Sequence, residues 1–126
     1  MTELIMTVVL VLLMAFLAWM MRAAATGRIK RNALVGIRTP ALMHCDGCWL
    51  LGHHAAASKS NIGIWLAALV MAVGGIPALL LPLPDFVHPA VLMTGMAVMM
   101  AGLLLGLRDA NRAVAKIHAG ERIVSS

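Results

Sequence analysis

Charge is the scarcest commodity in this chain. Only 12% of its 126 residues are Asp, Glu, Lys or Arg, against about 25% in a soluble domain. That deficit excludes a surface mostly facing water. Catalytic signatures are missing too: the sequence has no phosphate-binding G-x-x-x-x-G-K, no G-x-S-x-G, no H-E-x-x-H and no paired carboxylates. Nothing therefore points to an enzyme. Ionisable residues are absent from the apolar runs, and such residues usually mark ion or proton paths. A transporter or channel acting alone is disfavoured on that ground.

What the sequence has instead is three long apolar runs. Leu4–Met21, Asn61–Pro84 and Ala90–Leu107 carry no charge over 18, 24 and 18 residues. A bilayer-crossing helix needs roughly 20 residues, and buried strands are shorter and richer in β-branched residues. Helix also satisfies every backbone polar group within lipid. The reading is an all-α integral membrane domain with three transmembrane helices, at about 4–21, 61–81 and 90–107. A motif segment, 22–60, lies between the first two. An outer turn, 82–89, joins the second and third, and a helical tail, 108–126, follows. The first run is read as a retained anchor. Glu3 precedes it and Arg22 follows, the reverse of a signal peptide's charge order.

All ten basic residues fall in 22–60 or after residue 107. In a three-helix layout these segments share one side, and the positive-inside rule makes that side cytoplasmic. The N-terminus is then outside, the C-terminus inside, and anionic membrane lipids are the natural counter-ions. Nucleic acid is not expected as a partner, for want of a soluble basic domain. No cofactor is expected.

Chemistry-bearing residues concentrate in one stretch, GIRTPALMHCDGCWLLGHH at 36–54. Thr39-Pro40 reads as a helix start, and Asp46 as a second N-cap from which a helix runs unbroken into the second apolar run. Asp46, Trp49, His53 and Ala57 would share one helical face. Trp49 then serves as a binding anchor, with Arg38 reaching Asp46 or a lipid phosphate. A self-packed hinge is the plainer reading of the same residues. Cys45, Cys48, His53 and His54, with His44 nearby, also offer the ligand types zinc prefers. Their spacing is unlike that of a zinc finger, and a redox role lacks the usual βαβ context. In the third run, Gly102-x-x-x-Gly106 marks a packing face, within the chain or toward a partner. Gly74, Gly75 and Pro77 are expected to loosen the second helix.

The string Asn32-x3-Gly36-Ile37-Arg38-Thr39-Pro40, followed by Trp49-x3-His53, resembles the SdpI family of bacterial membrane proteins. Leu42 stands where that family has its second threonine, Gly47 where an acidic residue is common, and His54 where an arginine is. The Cys pair lies outside the family pattern. The resemblance implies a short unit of the family in the bacterial inner membrane, with a role in immunity or signalling. Another membrane protein or peptide would be the partner, with Asn32, Gly36, Arg38, Thr39, Trp49 and His53 as the motif. Two alternatives stand beside it: an accessory subunit of a larger membrane complex, and a thiol–imidazole metal sensor.

Overall fold

The computed structural model describes residues 1–124, and no strand occurs among them. Five α-helices follow in order: α1 (Thr2–Ala25), α2 (Pro40–Met43), α3 (Asp46–Val70), α4 (Ile76–Leu80) and α5 (Val87–Val124). A π-helical turn, Met71–Gly75, joins α3 to α4. Three helical segments are long and apolar enough to cross a membrane: Thr2–Ala25, Asp46–Leu80 and Val87–Val124. Residues 125 and 126 of the expected tail lie outside the described residues.

The π turn has a local cause. Pro77 has no N–H to give to the carbonyl four residues back, and a widened turn re-registers the ladder around such a gap. Gly75 also leaves room for α1, since a Cβ there would stand 3.3 Å from the methyl of Thr7. Thr7 is buried, donates its hydroxyl to the Glu3 carbonyl at 2.8 Å, and lies 3.0 Å from His88 Nε2 on α5. Polar atoms are thus paired at the end of the bundle that lacks basic residues.

α3 is the middle layer. It packs against α1 on one side and α5 on the other, while α1 and α5 touch through Thr7 and His88. The core joins Met14, Ala18 and Met21 of α1 with Ile64 and Ala67 of α3 and Met99 of α5. Gly102 and Gly106 pack inside the chain: a Cβ on Gly102 would lie 2.6 Å from the Cα of Gly63, and one on Gly106 would meet Ser60. Side-chain-free faces let the two backbones touch, which is how helices gain van der Waals contact in lipid.

Length then decides where the site sits. At 1.5 Å per residue α5 is about 57 Å long, while the hydrocarbon core is about 30 Å. The helical run Asp46–Leu80 is about 52 Å by the same arithmetic. They are thus longer than the apolar slab by about 27 Å and about 22 Å, and the basic residues of both lie at one end. Lys59 and Asp109 pair across this extension at 2.7 Å. The first helix, expected to end near Met21, continues to Ala25 and stops in a Schellman cap. Gly27, at φ +76°, turns the chain while Arg28 N–H reaches Ala23 C=O and Gly27 N–H reaches Ala24 C=O.

Candidate functional site: a loop wired onto the projecting helices

The segment between α1 and α3 folds back along the projecting part of α3. Its folding depends on a few side chains that bond to backbone. Asn32 makes an Asx turn. Its Oδ1 accepts from Leu34 N–H at 2.9 Å and Val35 N–H at 2.8 Å, and its Nδ2 donates to Lys30 C=O at 2.8 Å. Arg38 donates to the Ala33 carbonyl and closes the same turn from the other side.

Gly36 sits at φ +97°, a region that costs any Cβ-bearing residue. Space forbids a side chain as well, because a Cβ would be 2.6 Å from His53 Nε2 and 2.9 Å from the Trp49 ring. The glycine therefore brings its loop directly onto the Trp49–His53 pair. Those two rings lie 4.1 Å apart and are 2% and 0% exposed. Trp49 Nε1–H donates to Ile29 C=O at 3.1 Å. His53 Nε2 accepts from Ile37 N–H at 2.9 Å, and its Nδ1 lies 2.9 Å from Trp49 C=O. An acceptor at Nε2 fixes the proton on Nδ1, which then donates to that carbonyl. The neutral ring is the form that makes both bonds. His53 precedes the membrane-spanning part of α3, and burial pushes its pKa below the ordinary histidine value.

Thr39 caps α2, accepting from Leu42 N–H at 3.4 Å, and donates its hydroxyl to Asn111 Oδ1 on α5 at 3.0 Å. Leu42, fully buried, sits on Gly52, where a Cβ would come within 2.5 Å of Leu42 Cγ. The loop is thereby tied to both projecting helices.

Four expectations change. Cys45, not Asp46, is the N-cap of α3: its Sγ accepts from Cys48 N–H at 2.9 Å, and Asp46 is the first helical residue. Asp46 pairs with Arg31 at 2.9 Å rather than with Arg38, whose guanidinium is taken by Ala33. Arg31 also donates to Met43 C=O at 2.6 Å. Trp49 and His53 do share a helical face, but the loop covers it, so neither is an exposed anchor. The sulfur and imidazole set is not brought together. Cys45 and Cys48 are joined as a disulfide, His53 spends both nitrogens on backbone, and His54 lines a groove toward α1. Among the described residues no group of three or more His, Cys, Asp and Glu could hold a metal.

Sequence reasoning passed over three residues. Arg31 and Asn111 gave no signal, since their partners lie 15 and 72 positions away. Leu34 did give one, as a large apolar residue inside a basic stretch. It is 87% exposed, held out by the Asx turn at Asn32 on one side and by Gly36 on the other. Arg28, Lys30 and Arg38 surround it in sequence and are exposed as well.

Comparison with known proteins gives one match. The family model described as "SdpI/YfhL protein family" matches residues 28–107, from the loop through most of the membrane-spanning part of α5. No curated protein and no solved structure matches the chain.

Proposed function

The chain belongs to the SdpI/YfhL protein family, and on that premise we propose that it is a non-enzymatic membrane protein that binds a partner through the loop at residues 26–39. The observation that carries this reading is the exposure of Leu34 on a loop with little freedom to move. An apolar residue held out in water costs hydrophobic free energy. Here a glycine in the left-handed region, an Asx turn and two buried rings keep it there. Rigid presentation lowers the ordering cost of binding.

In this reading the signature residues divide their labour. Asn32, Gly36, Arg38, Thr39, Trp49 and His53 shape the loop, with Asp46 and Arg31 bracing its far end. Leu34 and the surrounding cations meet the partner, a membrane protein or peptide with an apolar pocket rimmed by acidic groups. The basic side is cytoplasmic in a bacterial plasma membrane, by the positive-inside rule. The role is immunity or signalling, as the family resemblance implies.

The test is recovery of the tagged full chain from native membranes in mild detergent. Leu34→Asp should weaken capture of the wild-type partner by about 30-fold, the size of an interface hot spot, with membrane insertion and helix content unchanged. Equal recovery of that partner by Leu34→Asp, or a wild-type chain recovered alone, contradicts the proposal.

A further inference from the structure

A second feature lies between α1 and α3, next to the loop's histidine in sequence but on a different face of α3. The last turns of α1 and the stretch His54–Leu69 of α3 line an open groove of about 970 Å3. Its polarity is graded along its length. Arg22, Thr26, His54, Ser58 and Asn61 line it toward the basic side, and Ile62, Leu66 and Leu69 line it toward the apolar slab. Trp19 and Trp65 flank it, 57% and 56% exposed, as indoles do at the headgroup level.

Two groups in this groove lack a partner. Arg22 makes no ion pair among the described residues, where Lys59 and Arg31 each have a carboxylate. Asn61 Oδ1 is buried and accepts no hydrogen bond. A buried acceptor without a donor is costly, and a native structure seldom tolerates one without an outside group to meet it.

We propose that this groove is a binding site for one anionic phospholipid with a hydroxyl-bearing headgroup. Arg22 takes the phosphate, the headgroup hydroxyl donates to Asn61 Oδ1, and an acyl chain lies along Ile62, Leu66 and Leu69. The charge matches at one end and the apolarity at the other. A neighbouring transmembrane helix would instead meet Arg22 and Asn61 with apolar side chains and leave both unpaired. From His54 to Leu69 the groove runs about 22 Å along α3, which suits a headgroup followed by most of an acyl chain. The site is separate from the partner loop and stands or falls independently of it.

The test is native mass spectrometry of the full chain released from nanodiscs holding phosphatidylglycerol and phosphatidylcholine of matched chains in equal amounts. The expected result is one phosphatidylglycerol retained per chain in preference to phosphatidylcholine. Arg22→Gln and Asn61→Leu should each weaken retention about tenfold, the worth of a charge-assisted or buried hydrogen bond. Lys116→Gln, an exposed cation elsewhere on α5, should change nothing. Circular dichroism confirms that each variant is folded. Equal retention of the two lipids overturns the proposal, as does a loss in Lys116→Gln matching that in Arg22→Gln. Competition by millimolar glycerol phosphate would show a head-only anion site and overturn it too, and so would a lipid-free dimer.

Discussion

The two halves of this molecule are held together by different physics. Within the apolar slab, α3 and α5 meet through an absence of side chains, with Gly63 against Gly102 and Gly106 against Ser60. On the projecting side the same helices are joined to a loop by side chains bonded to backbone: Asn32, Arg38, Trp49 and His53 each satisfy loop amides or carbonyls. In lipid there is no water to expel between helices, so close approach of backbones is what stabilises. Outside lipid the loop has few apolar residues to bury, and its backbone groups must find explicit partners. Asn32, Gly36, Arg38, Thr39, Trp49 and His53 all lie in the second half, where their contacts fold a loop.

The contrast can be broken from either side. The largest effect is expected in the membrane half. Gly102→Leu drives a side chain into the Cα of Gly63 and the carbonyl of Lys59, 2.6 and 3.0 Å from the new Cβ. Separation of α3 and α5 should cost about 3 kcal/mol or more, read as a lower thermal midpoint in detergent. Gly36→Ala comes next, at about 2–3 kcal/mol from left-handed strain and the clash with His53. Its signature differs: trypsin should cut faster at Arg28, Lys30, Arg31 and Arg38 while the midpoint for the helices hardly moves. Smallest is Thr39→Ala, which removes a cap and the tie to Asn111 for about 1 kcal/mol. It should raise tryptic cleavage only slightly. If Gly36→Ala and Gly102→Leu gave the same pattern, the two halves would be one cooperative unit.

How far the sequence could be read follows the same division. Apolar run length announced three helices, and the Gly102-x-x-x-Gly106 spacing announced a close helix contact, because both are local patterns. The turn near 82–89, which holds no Lys or Arg, and the loosened helix at Gly74-Gly75 were legible for the same reason. In the loop, the helical spacing of Trp49 and His53 revealed a shared face but not what covers it. A face turned to solvent and a face turned to a loop have the same period. Likewise Thr39 was recognisable as a cap, whereas its bond to Asn111 depends on how α5 lies beside α3. The pairing of Asp46 with Arg31 instead of Arg38 turns on the path of the loop, which Gly27 and Gly36 set through left-handed φ values.

His53 holds the loop through the Ile37 amide, and that amide reports on the loop directly. Its N–H is given to His53 Nε2, a bond that only the neutral ring can accept. The folded pKa lies below the ordinary value, near 6.5, so the loop's stability is fully present above that value. It is lost as pH falls through the lower folded pKa. Hydrogen exchange of the Ile37 amide by NMR in micelles, expressed as protection relative to the unfolded peptide, measures this. The account predicts slow exchange at pH 7, on the order of 100-fold protection for about 3 kcal/mol of local stability. Protection should fall as the pH is lowered well below about 6.5 and be lost in Gly36→Ala. Exchange at the unfolded rate at pH 7, or protection that ignores both pH and Gly36→Ala, would contradict it.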